Sequence, residues 1–322
     1  NDLVAEISRD NNILNSIKTK EILLVKNTKI LDLLKWIIDN PKLIDLTEDE
    51  TSNYILNVYQ TGKMFEDFFD ETYLTFYKDD YNNLIANLIT VNLDKKLKEF
   101  LDKNKVFVMM SGTVHSDSVL KEIFGVKEFK TVEAEVTHRG GITNVRTGLE
   151  KIFDYRYLKQ EGSREEYMKA LSKSVEIAEK PILIHVNAFL DLPTEEECYK
   201  YNIPNLKTRK ELQDEQDKFK KGELVQQFKN KDIDVLYSTK CNRGVDFPGD
   251  ICNSIIFTKY PNPNISSLFW RVLKKSNSRH FWTLFGDKAK REFMQRIYRG
   301  LRSEEDHINL LSPDLRIFNF SK

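Results

Sequence analysis

Within QRIYRGLR, residues 295–302, arginines recur every third position as Arg296, Arg299 and Arg302, beside Gln295. A guanidinium stays charged at any physiological pH and its planar fork matches phosphate oxygens, so two arginines one turn apart suit a transferring phosphoryl group. On a helix over 287–301, Gln295, Arg299 and Arg302 fall at i, i+4 and i+7 and form one stripe of donors. Glu304, Glu305 and Asp306 lie beyond the last turn of that helix and leave the row unbalanced. On spacing alone, a solvated basic helix with loose ion pairs remains open beside the phosphate reading.

A second stretch, TKCNRGVDFPGD at 239–250, follows the apolar run IDVLYS at 233–238. Thr239 offers a hydroxyl at a strand end. Gly244 permits a close backbone approach or a special dihedral, and Asp246 can accept hydrogen bonds or face a hydrated metal. A loop in which Gly244, Pro248 and Gly249 merely make turns is the plainer alternative.

The elements that must position these residues read as alternating strands and helices. Candidate strands are 131–136, 182–186, 233–238, 253–258 and 308–311, and helical patterns fill 164–180 and 210–230. Such alternation implies βαβ crossovers and a mostly parallel sheet covered on both faces, with ligands collecting beyond the carboxyl ends of the strands. Upstream, the first 70 residues read as helices, among them TKILDLLKWIIDN, which Pro41 stops. Residues 72–77 and 84–91 look extended, a short amphipathic helix follows, and VFVMM at 106–110 with the turn SGT at 111–113 completes a further strand. The fold class expected is therefore α/β, a parallel sheet with helices on both faces behind a mainly helical N-terminal segment.

Composition bounds the partners. At 322 residues and 40% hydrophobic content the chain can supply two cores. No apolar run approaches the roughly 20 residues of a membrane span, so no membrane partner is expected. The chain opens on Asn1 without a basic-then-apolar signal region, which points to a piece of a longer protein. Cys198, Cys241 and Cys252 form no CxxC pair, and the expectation is an intracellular protein without disulfides. The 50 basic and 50 acidic residues cancel, yet residues 239–322 hold 15 Lys and Arg against 8 Asp and Glu. A basic C-terminal quarter suits phosphate recognition.

Residues 238–250, STKCNRGVDFPGD, resemble motif V of superfamily 2 helicases, and QRIYRGLR resembles motif VI, Q-x-x-G-R-x-x-R, specifically in the XPD-like and DinG-like DNA helicases. In the same order, VFVMMSGT at 106–113 is similar to motif III, PILIHVNAF at 181–189 to motif IV, and DHINLLSPDLR at 306–316 to the segment that closes the second motor domain. The resemblance covers roughly residues 85–322. It implies a RecA-like second motor domain at 129–322, the C-terminal part of a first motor domain at 71–128, and a helical segment at 1–70 that resembles an arch remnant. On that resemblance Arg299 and Arg302 reach nucleotide phosphates held by the first lobe, and Gln295 places the nucleotide or the attacking water. Gly244 and Asp246 couple nucleotide state to lobe closure, which Ser111, Gly112 and Thr113 transmit. Thr239 and Arg243, with Asn187 and Ala188, lie along the nucleic-acid backbone. The implied partners are single-stranded or forked DNA and the N-terminal lobe of the same motor.

The departures carry expectations of their own. Tyr298 stands where the motif has glycine. No G-x-x-x-x-G-K-[ST] loop occurs in the sequence, so ATP and Mg²⁺ would be held through the missing first lobe and the chain alone is expected to be inactive. The acidic pair Asp70 and Glu71 reads as a surface turn. The four iron–sulfur cysteines of XPD-like enzymes have no counterpart, the five histidines show no zinc-ligand spacing, and no metal site is expected. Trp270, Phe281 and Trp282, interleaved with Arg271, Lys274, Lys275 and Arg279, are either helical core or a surface for stacking bases. Two functions thus stand: the C-terminal part of an ATP-dependent DNA helicase, or a non-catalytic RecA-like docking module for nucleic acid or protein.

Overall fold

The computed structural model describes residues 2–43, 50–79, 81, 84–132, 140–219, 222–239 and 244–321. Arg243, Cys241, His138 and most of the expected strand at 131–136 lie outside the described residues. The chain divides into two units, one of residues 1–108, 117–129 and 264–284, the other of residues 109–116, 130–263 and 285–322.

The first unit is built on helices α1 (Asp2–Arg9), α2 (Asn11–Thr19), α3 (Lys29–Asp39) and α4 (Glu50–Phe65), with strands β1 (Leu23–Leu24), β2 (Thr72–Lys78) and β3 (Leu84–Thr90) and helix α5 (Leu93–Leu101). The three strands form an antiparallel sheet in the order β1-β2-β3. Leu34 and Ile38 from α3 meet Leu74 and Phe76 from β2 in one apolar cluster, as the helical and strand periodicities of those segments require. Helix α10 (Leu268–Ser276) also belongs to this unit, as do the first residues of α11 (Ser278–Ile297).

The second unit is a five-stranded parallel sheet of β4 (Gly141–Asn144), β5 (Ile182–His185), β6 (Val235–Ser238), β7 (Ser254–Phe257) and β8 (His307–Leu311), in the order β4-β8-β7-β5-β6. Alternate residues of a strand face opposite sides, and both sides are covered. Ile182, Ile184 and Ile256 enter a cluster with Tyr167 and Leu171 of α6 (Ser163–Ile177). Leu183, Ile255 and Phe257 enter another with Phe293 and Ile297 of α11. This is a RecA-like α/β architecture. Three shorter helices, α7 (Glu195–Tyr201), α8 (Arg209–Lys218) and α9 (Glu223–Lys229), complete the crossovers. The first two open on capping boxes spelled out in sequence: Thr194 and Glu197 exchange hydrogen bonds, as do Thr208 and Glu211.

Three expectations need correction. Residues 106–110 form no strand; Val106 to Met110 are all exposed, because no neighbouring strand among the described residues offers them a ladder. The helical pattern at 210–230 is interrupted, with α8 ending at Lys218 and α9 opening behind Gly222, whose φ is +96°. The helix expected to reach 301 ends at Ile297. The missed strand β4 is exposed at all four positions, so it lacks the apolar alternation that reveals strands in sequence.

Candidate functional site

The end of α11 shapes the site. Arg299 N donates to Arg296 O at 3.3 Å and Gly300 N to Ile297 O at 3.1 Å, so the last turn tightens to i−3 bonding. A Cβ on Gly300 would lie 2.9 Å from Ile308 Cγ2 and 3.4 Å from Ile255 Cδ1. The turn can therefore press onto β7 and β8 only with glycine there. The close backbone approach falls at Gly300, two residues beyond the position where Tyr298 replaces the motif's glycine.

Because the helix stops, Gln295, Arg299 and Arg302 do not share a helical stripe. They are gathered instead by the turn. Arg299 Nη1 donates to Asp246 Oδ1 at 2.9 Å, and Arg302 Nη2 donates to the same oxygen. Burial pushes the Asp246 carboxyl up, but the hydrogen bonds from Arg302 and Arg299 outweigh it and hold the group below its ordinary value. Gln295 Nε2 donates to Thr113 Oγ1 at 2.7 Å. Ser111, Gly112, Thr113, Gln295, Arg299 and Arg302, with Arg291 and Tyr298, line one cavity of about 450 Å³. Arg296, the third arginine of the row, departs from its neighbours: it is 5% exposed and donates from Nη2 to Glu292 Oε1 at 2.7 Å. It braces the helix and lies outside the cavity lining.

Two carboxylates that the sequence reading passed over hold this arrangement. Asp306, 4% exposed, accepts from three backbone amides: Gly249 at 2.7 Å, Ser303 at 2.6 Å and Arg302. Burial raises its pKa and these amides more than offset that, so its carboxyl is held low. One side chain thereby ties the loop after β6 to the turn after α11, and Phe247 N adds a 2.7 Å bond to Arg299 O. Asp287 does the same for residues 111–116. It accepts from Ser116 N at 2.8 Å and Arg291 Nε at 3.1 Å, and shares a 2.6 Å contact with His115 Nδ1. The only sequence signal for Asp306 was its place within a short polar run after Arg302. Asp287 showed only its i, i+4 spacing to Arg291, since its other partners, His115 and Ser116, lie about 170 residues away.

The nucleic-acid candidates sit elsewhere in the same unit. Chain direction from β5 leads to β6 on one side, and from β7 to β8 on the other, so the topological switch lies between β5 and β7. Asn187 and Ala188 follow β5 at that point. Asn187 N donates to Thr258 Oγ1 at 3.1 Å and Ala188 N to Asp191 Oδ2 at 3.1 Å. Buried Asp191 also receives Lys259 Nζ at 2.5 Å. Thr239, after β6, accepts from Gln216 Nε2 at 3.2 Å. Gly244 takes φ +73°, a left-handed conformation. Beneath them His185 is buried against Phe257, with ring centroids 5.0 Å apart. Burial, then the nearby Arg296 charge, push its pKa well below the ordinary histidine value.

The other candidates resolve structurally. Glu71 accepts from Asn92 Nδ2 and, at 3.1 Å, from Lys95 Nζ, which makes it part of a turn-to-helix link. Among the described residues no cluster of His, Cys, Asp and Glu could hold a metal, and no helix is long and apolar enough to cross a membrane.

Residues 171–321 match the model of the helicase C-terminal domain family. Among solved structures, one titled XPD apo aligns with a TM-score of 0.53 at 15% identity, covering 99% of this chain and 66% of its own. Another, titled XPD helicase, aligns with a TM-score of 0.48 at 14% identity, covering 89% of this chain and 53% of its own. No curated protein sequence matches. The matched stretch takes in four of the five strands of the parallel sheet and the turn that carries the arginines: residues 171–321 are similar to the helicase C-terminal domain, and the chain shares the fold of the solved structure titled XPD apo.

Proposed function

We propose that this chain is the C-terminal part of an ATP-dependent DNA helicase, with residues 129–322 as the second motor domain, 71–128 as the closing part of the first and 1–70 as a helical insertion. The observation that carries the reading is the single cavity lined by Gln295, Arg299, Arg302 and the 111–113 turn. Its donor set fits the phosphate end of a nucleotide: two guanidinium groups, a carboxamide and the backbone at Gly112. Bound ATP supplies the scissile phosphoanhydride, and Mg²⁺ would be held by carboxylates outside this chain.

The residues' own contribution is electrostatic. Asp246 keeps both guanidinium groups paired and aimed. Its side chain is 46% exposed, so the pair is weak enough to be exchanged for a phosphate oxygen when one arrives. Arg299 and Arg302 then act as arginine fingers, a role worth about 10³–10⁵ in rate. Gln295 releases Thr113 to orient the attacking water. Because Asp246 lies on the loop behind β6 and is held there by the two arginines, exchanging those pairs for phosphate oxygens shifts that loop, where Gly244 and Thr239 meet the nucleic-acid backbone with Asn187 and Ala188.

The chain alone is expected to hydrolyse no ATP, and to gain DNA-stimulated hydrolysis when joined to a lobe that carries a phosphate loop. In that assembly Arg302→Ala and Arg299→Ala lower kcat by about 10³-fold or more while DNA affinity holds. Full turnover by both variants would leave the non-catalytic docking module as the better reading.

A further inference from the structure

The first unit carries a basic surface, drawn largely from a stretch of sequence without acids, with one exposed aromatic beside it. No Asp or Glu occurs anywhere in residues 251–286. Within that stretch the sequence interleaves aromatics and cations, and the structure separates their roles. Trp270 is 4% exposed and Phe281 is fully buried, their rings 5.8 Å apart, so both are core. Trp282 is 61% exposed although it follows Phe281 directly. Its ring centroid lies 4.8 Å from that of Phe281, edge-on, so the buried ring backs the exposed one. Lys274 Nζ stands 5.9 Å from the centroid of the same Phe281 ring.

Beside this pair lies a recess of about 490 Å³, to which Lys20, Arg271, Lys274 and Lys275 contribute. Two of the four cations are fixed in place: Arg271 Nη2 donates to Lys20 O and Lys275 Nζ to Ile22 O, each at 2.8 Å. Lys20 occupies a left-handed turn at the end of α2, which brings its side chain to the same rim. Arg279, one turn before Trp282 on α11, is mostly exposed and meets Glu122 only at 3.5 Å. Glu21 is the one acid that lines the recess.

An exposed indole braced from behind, flanked by cations and poor in acids, offers a π face and a phosphate track together. We propose that this surface binds single-stranded nucleic acid, one base stacking on Trp282 and the adjoining phosphates running past Lys274 toward the Lys20 recess. An acidic protein would use the cations but gain little from an indole face, and a duplex keeps its base faces stacked inside. The proposal rests on the reading of the chain as part of a nucleic-acid motor, and names a contact in its first unit, apart from Asn187, Ala188 and Thr239.

The test is fluorescence anisotropy of the whole chain with labelled oligothymidylate of about 15 nucleotides at low salt. Trp282→Ala is expected to weaken binding by about tenfold or more and Trp282→Phe by much less, while an abasic strand of the same length shows no dependence on Trp282. Lys274→Ala should lower the slope of log affinity against log salt by about 0.7. Wild-type affinity in Trp282→Ala overturns this inference while leaving the motor reading intact, and displacement of the strand by polyglutamate at equal charge overturns it in favour of an acidic protein. Absence of any binding by the wild-type chain overturns the nucleic-acid reading as a whole.

Discussion

Asp306→Ala removes the shared acceptor of three backbone amides, those of Gly249, Arg302 and Ser303, at a position 4% exposed. A buried donor left without an acceptor costs roughly 1–3 kcal/mol, and the flanking turns are near enough to the surface for some of these amides to find water. A net loss of about 3 kcal/mol follows. For a domain of this size that corresponds to a fall of about 6–12 °C in the unfolding midpoint. The charge adds a pH signature. The folded carboxyl titrates below its ordinary value, so its stabilisation is present above the unfolded pKa of about 3.9 and is lost as pH falls through the lower folded value. The wild-type advantage over Asp306→Ala should therefore be full at neutral pH and shrink below about pH 4. Thermal and urea unfolding of the two proteins across that range measure it. A midpoint change under about 2 °C at neutral pH, or a gap that stays constant into acid, would refute the claim that this carboxylate fastens the two loops.

Gly300→Ala places a methyl 2.9 Å from Ile308 Cγ2, and overpacking of this kind costs about 1–3 kcal/mol, to be read as a lowered urea midpoint at unchanged m. His185 should stay neutral as pH falls through the ordinary histidine value of about 6.5, followed by its imidazole NMR resonances. Since its folded pKa is depressed, its contribution to stability is complete above the unfolded value of about 6.5 and declines as pH falls below that. A His185 resonance that titrates near 6.5 would contradict the burial argument.

Much of the second unit was legible because local rules and global fold agree there. The runs at 182–186, 233–238, 253–258 and 308–311 are short and rich in apolar and β-branched residues, which suits strands covered on both faces, and each holds a strand of the parallel sheet. Thr194 with Glu197, and Thr208 with Glu211, announce helix starts by chemistry that needs only four residues. The strand β4 escaped notice since an exposed edge strand takes its place from pairing with β8 alone. Residues 106–110 failed in the opposite direction: composition favours a strand, but a strand exists only with a neighbour.

The candidate site shows the same division at finer grain. The presence of Gln295, Arg299, Arg302 and Asp246, and the glycine that lets a loop turn at 244, are properties of residue type and short spacing, and the sequence alone determined them. It also placed Arg296 in the same row, where only tertiary structure could separate a buried brace from two arginines that share Asp246. A period of three or four residues describes a helix that continues, whereas Gly300 pressed on Ile308 and Ile255 ends this one and turns the chain. Likewise Asp306 and Asp287 gain their roles from amides brought to them across the fold. Local spacing encodes which groups are available; where they converge depends on the packing of distant segments, which no local pattern records.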